Sequence, residues 1–130
     1  MDELVIGIFA FAGGILRYGL DQLIPFGDYF PVPTLFINII GSFLLALITT
    51  AWSLNERISA RLTLGIGTGL IGAFTTFSSF SLEIFDLLAN HQYLLGFGYA
   101  ALSLISGIIG AWLGILLGEK LHPREDKSEW

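Results

Sequence analysis

The chain has 130 residues, of which 54% are hydrophobic and only 13% charged, with a formal net charge of −5 and no cysteine. That balance is too apolar for a soluble domain of this size, and it offers no basic face to a nucleic acid. Without thiols there is no disulfide framework, thiol chemistry or thiolate metal site, and the redox compartment stays open.

The apolar residues gather into four runs long enough to cross a bilayer, at about 4–24, 34–54, 62–88 and 93–118. The links are too short for a soluble catalytic module. The expected fold is therefore an all-α membrane protein, a single domain over residues 1–130 with a polar tail over 119–130. The first run opens Met1-Asp2-Glu3 without a basic region and is longer than a signal-peptide core, so it reads as a span rather than a removable leader.

The first span carries Gly7, Gly13 and Gly14, which suit close helix approach in a membrane. Arg17 follows, a guanidinium costing about 2.5–3.5 kcal/mol in an apolar run unless it reaches water. It either snorkels to the interface or stands at the mouth of an anion path, raising the local anion concentration. The link over 25–33 has prolines that end the helix, and Phe26, Tyr29 and Phe30 that suit the headgroup region.

In the second span Thr34, Asn38 and Ser42 are spaced four apart and stack on one helical face. An Asn here can bond a neighbouring helix as packing glue, or its two amide donors can face a pore. The hydroxyls above and below favour a pore-facing stripe.

The third span departs from an ordinary membrane helix. Its 27 residues, 62–88, would run about 40 Å as a regular helix, against about 30 Å of hydrocarbon. Within it, residues 69–81 combine two glycines, five hydroxyl residues and three phenylalanines. Glycine weakens the helix and hydroxyls compete with its hydrogen bonds. Loosened backbone is tolerated in a bilayer only where protein buries it or water lines it. The expectation is a helix broken around Gly72–Thr76, freeing carbonyls suited to a hard cation. Beyond it Phe77 and Phe80 share a face, and their electropositive ring edges can solvate an anion weakly, although packing is the ordinary use of Phe at this spacing. Glu83 continues that face, either in an aqueous vestibule or in a polar contact.

Tyr99, Ser103, Gly107 and Ala111 follow one face of the fourth span; the first two extend a polar track and the last two cannot. Gly107, Gly110, Gly114 and Gly118 form a small-residue ridge for tight packing. His91 and His122 are isolated, in a loop and in the tail. The mixed-charge tail reads as a solvated, frayed end.

These elements resemble the Fluc (CrcB-like) family of fluoride channels over nearly the whole chain. The matching pieces are Gly14-x-x-Arg17-Tyr18, Thr34-Leu35-x-x-Asn38-x-x-Gly41-Ser42-Phe43 and Gly72-Ala73-Phe74-Thr75-Thr76-Phe77-Ser78-Ser79-Phe80-Ser81. The resemblance implies passive fluoride export from the cell through an antiparallel dual-topology dimer with two pores. It also implies one central Na⁺ held by main-chain carbonyls, at motif positions Gly72 and Thr75. The fluoride path would take Asn38, Phe77, Phe80 and Tyr99 from the family pattern; Ser42, Thr76 and Ser103 join them as hydroxyl donors, with Arg17 and Glu83 at the vestibule.

Two features depart from the family pattern. Gly107 and Ala111 interrupt the hydroxyl track. In addition, with both termini and residues 55–61 on one side, five of the six Lys and Arg (Arg57, Arg61, Lys120, Arg124, Lys127) lie there, leaving Arg17 for the other. That bias predicts a fixed orientation in the cell membrane with cytoplasmic termini, and pairing with an oppositely oriented paralogue rather than with a second copy of itself. A small proton-coupled multidrug exporter also has four short spans, but needs a carboxylate well inside the first one, where only Asp21 near its end is available. A non-conducting scaffold would explain the glycine ridges but not Asn38 among hydroxyls, whereas a non-conducting partner subunit of a heterodimeric channel stands as an alternative. No nucleophile–base pair or metal-ligand cluster suggests an enzyme.

Overall fold

The computed structural model describes residues 1–23, 30–53, 55 and 57–121. Phe26 and Tyr29 of the aromatic link, and His122, Arg124 and Lys127 of the tail, lie outside the described residues. The elements are α1 (Asp2–Leu23), α2 (Val32–Ser53), α3 (Ala60–Leu64), a π-helical turn (Gly65–Ile71), α4 (Gly72–Phe74), α5 (Phe77–Ala89) and α6 (Tyr93–Leu121). No strand occurs among the described residues. Among the described residues four helical stretches are long and apolar enough to cross a membrane: α1, α2, the run Ala60–Ala89 and α6.

The ends of these elements follow from local chemistry. Asp2 and Glu3 sit in the first turn of α1, where the helix dipole favours negative charge. Pro33 does not precede α2 but lies in its first turn, where a missing N–H costs no intrahelical bond. Ser59 caps α3 by accepting a hydrogen bond from the Leu62 N–H at 3.1 Å. After α5 the chain turns through His91 at φ 58°, and the Gln92 N–H reaches back to the Leu87 carbonyl at 2.8 Å. This is the left-handed C-terminal turn usually given to glycine, so His91 has a backbone role that its isolation in the sequence did not suggest.

The 30 residues Ala60–Ala89 are not one regular α-helix. The π-helical turn widens the coil at Gly65–Ile71, and its glycines bring it against α1: a Cβ at Gly69 would lie 2.6 Å from the Ile6 carbonyl oxygen. Thr75 and Thr76 then adopt extended backbone, at φ/ψ of −76°/158° and −146°/120°. Gly72–Phe74 remain helical, so the departure from helix is narrower than the Gly72–Thr76 expected from composition.

Packing between helices rests on the ridge of α6. Gly110, Gly114 and Gly118 are buried against α2, where a Cβ at Gly114 would run into the Phe43 carbonyl and one at Gly118 would come within 2.8 Å of Thr50 Cβ. The α1 glycines divide. Gly13 abuts the Leu70 backbone, whereas Gly7 and Gly14 have nothing within 4 Å. Those two do not serve close approach within the chain, because they lie toward the outer face of α1 with Leu4, Phe11 and Tyr18.

The same contacts orient the bundle. Arg61 Nε pairs with Asp2 Oδ1 at 2.9 Å, and the end of α6 lies on the end of α2 through Gly118 and Thr50. The start of α1, the link before α3 and the end of α6 therefore share one end of the bundle.

Candidate functional site

The extended pair Thr75–Thr76 needs partners that the helix no longer supplies. Asn38, in the second turn of α2, provides them: its Nδ2 donates to the Thr76 carbonyl at 3.1 Å, and its Oδ1 accepts from the Thr76 N–H at 3.0 Å. The side-chain amide thus pairs with both backbone groups of one residue, as a neighbouring strand would. Thr76 is buried, so leaving either group unpaired would be costly. The Thr76 hydroxyl in turn accepts from the Ser79 N–H at 3.2 Å, capping α5, and lies 3.3 Å from Ser78 Oγ.

These bonds have a consequence for two carbonyls. In a continuous α-helix the Thr76 N–H would bond the Gly72 carbonyl, and the Ser79 N–H the Thr75 carbonyl. Both donors are diverted, to Asn38 Oδ1 and to Thr76 Oγ1. The Gly72 and Thr75 oxygens therefore lose their intrahelical donors at the negative end of a helical segment. Gly41 makes room for this turn, since a Cβ there would run into Thr75 Cγ2. Its importance was accessible in principle, because Gly41 sits one turn from Asn38 on the same face.

An open cavity of about 410 Å³ lies against the extended pair. It collects Asn38 and Ser42 of α2, Gly72, Thr75, Thr76, Phe77 and Phe80 around the extended pair, and Ser103 and Gly107 of α6. Ser103 Oγ is buried there and makes no hydrogen bond among the described residues. A wider groove of about 770 Å³ runs on toward the α2–α3 link, sharing Leu45 and Gly67 with the cavity. Phe77 is 79% exposed, so its ring is not packed within this chain. It stands 5.9 Å from Phe80, which is 5.2 Å from Tyr99, and Tyr99 meets Phe30 edge-on at 5.4 Å.

Three expected site residues stand apart from this lining: Tyr99, Glu83 and Arg17. The Tyr99 hydroxyl donates to Glu83 Oε2 at 2.8 Å, and Thr34 Oγ1 donates to Glu83 Oε1 at 2.7 Å. Tyr99 and Thr34 are buried, so the carboxyl group is gripped between α2 and α6 in a polar contact. The stripe Thr34, Asn38, Ser42 accordingly splits by partner: Thr34 serves Glu83, Asn38 the extended Thr76, and Ser42 the cavity. Arg17 is half-buried on α1. Among the described residues no group of three or more His, Cys, Asp or Glu is placed to hold a metal ion.

The chain matches the family described as CrcB-like protein, Camphor Resistance (CrcB), over residues 4–115. It is 44% identical over 124 residues to a Listeria innocua protein named fluoride-specific ion channel FluC 2, covering 95% of each chain. It is 39% identical over 120 residues to fluoride-specific ion channel FluC 1 of Bacillus cereus, covering 91% of this chain and 88% of that one. A fluoride-specific ion channel FluC of Coxiella burnetii is 38% identical over 126 residues, covering 93% of this chain and all of its own.

Proposed function

The chain belongs to the CrcB family of fluoride channels, and from that premise we propose that it is a fluoride-selective channel letting F⁻ leave the cell passively, which limits fluoride toxicity in the cytoplasm. The family is one of ion channels, so the chain is a multi-pass membrane protein and not an enzyme. The observation carrying the finer reading is the cavity at Thr75–Thr76, where hydroxyls, an amide and phenylalanine edges meet with no full charge among them.

Fluoride is small and strongly hydrated, so a selective route must replace its water with many weak donors. Ser42, Thr76 and Ser103 supply hydroxyls, and Phe77 and Phe80 supply electropositive edges. The Asn38 amide has two N–H donors, and one already serves Thr76. None of these groups carries a fixed positive charge that would hold the ion. Tyr99 continues the aromatic row from Phe80, and Glu83 and Arg17 stand at the vestibule, where Arg17 gathers anions.

The residues present fit the expected Na⁺. Gly72 and Thr75 offer hard oxygen ligands whose helical donors are diverted. One chain offers only part of a coordination shell, so the matching turn of an oppositely oriented second subunit would have to supply the remaining oxygens. When bound, Na⁺ supplies positive charge that lowers the cost of bringing an anion near the low-dielectric core.

The Lys and Arg bias supports a fixed orientation in the cell membrane, termini in the cytoplasm, with an oppositely oriented paralogue as second subunit. Relatives named FluC 1 and FluC 2 are consistent with such pairs in some species. The test is flux from liposomes holding the purified chain, alone and with its paralogue. Fluoride should leave without chloride or a proton gradient, and Phe80→Ile and Asn38→Asp should abolish the flux. Proton-coupled export of cationic dyes, or no flux from either preparation, would overturn the reading.

A further inference from the structure

The polar lining of the cavity changes helix part-way along. On α6 the last cavity hydroxyl is Ser103, whose oxygen is buried and unpartnered among the described residues. The next positions on that face, Gly107 and Ala111, carry no side-chain donor. Two turns of α6 without a donor would leave an anion unsolvated over about 12 Å. Opposite this gap stands α2. A Cβ at Gly107 would have one neighbouring atom within 4 Å, Ser42 Oγ at 3.8 Å, and both residues line the cavity.

We propose that the donor ladder crosses here from α6 to α2, with Ser42 Oγ supplying the hydrogen bond to the permeating anion that a hydroxyl at position 107 would otherwise supply. The absence of a side chain at Gly107 is what leaves the Ser42 hydroxyl open to the lumen, so the two residues form one complementary pair. Ser42 is thus a specificity-determining residue for this chain, and the interrupted α6 track is not by itself a break in the route. This inference rests on the channel reading given above.

The experiment measures fluoride efflux from liposomes containing the full chain in its conducting assembly, with thermal stability measured on each variant. Ser42→Ala lowers the flux at least about tenfold, the effect of losing one donor to a charged partner. Ser42→Thr, which keeps the hydroxyl, retains flux. Gly107→Ser restores most of the flux in the Ser42→Ala background, because its Cβ fits at ordinary contact distance and its hydroxyl faces the same point. Wild-type flux from Ser42→Ala overturns the proposal, as does a loss that Gly107→Ser leaves unrelieved, whether or not stability falls. An inert wild-type assembly overturns the channel reading, and this proposal with it.

Discussion

Gly41→Ala tests whether the extended turn is as tightly seated as its contacts imply. The added Cβ would run into Thr75 Cγ2, with Thr75 Cβ the next nearest atom at 3.5 Å. Thr75 cannot swing aside freely, because its hydroxyl donates to the Ile71 carbonyl at 3.0 Å and the stiff β-branched side chain would lose that bond on rotating. Overpacking of this kind costs about 1–3 kcal/mol, and moving the Thr75 backbone would also disturb the adjoining Asn38–Thr76 bonds. Removing the offending methyl in a Gly41→Ala/Thr75→Ser double variant leaves an ordinary contact while retaining the hydroxyl. Stability in detergent, followed by thermal or denaturant unfolding, should fall in the single variant and recover most of that loss in the double, with fluoride flux following the same order. An unaltered Gly41→Ala protein, or a double variant no better than the single, would refute the argument that Gly41 exists to admit Thr75.

Asn38→Ala strips partners from both backbone polar groups of the buried Thr76 and should cost about 2–5 kcal/mol, more than Thr49→Ala, whose hydroxyl bonds only its own helix; comparable unfolding midpoints would contradict the pairing. Tyr99→Phe removes one of the two hydroxyls on the Glu83 carboxyl group and should lower stability by about 1–3 kcal/mol, read from the same unfolding curves. Gly114→Leu forces α6 off the Phe43 backbone and should abolish folded protein on size-exclusion chromatography, whereas Gly7→Leu, facing open space in this chain, leaves the subunit's own packing intact. Asp2→Asn removes an ion pair whose side chains are 55% and 59% exposed, and should change stability by less than about 1 kcal/mol.

Much of this protein was readable along the chain. Four spans, their approximate ends and the small-residue ridge of α6 follow from composition summed over neighbouring residues, which is what sets the free energy of entering a bilayer. The weak helix preference of residues 69–81 was legible for a related reason: glycines and hydroxyls weaken a helix through their own backbone preferences. The π-helical turn at Gly65–Ile71 was not, since its glycines gain meaning only once Val5, Ile6 and Phe9 of α1 press on them. The same holds for partner choice. Thr34, Asn38 and Ser42 look alike as a stripe, yet Thr34 bonds Glu83 and Asn38 bonds Thr76, residues 49 and 38 positions away. Helical periodicity says which side chains share a face. It does not say which distant backbone group will be left without a donor opposite that face, and only the packed helices decide where such a group lies and which side chain reaches it.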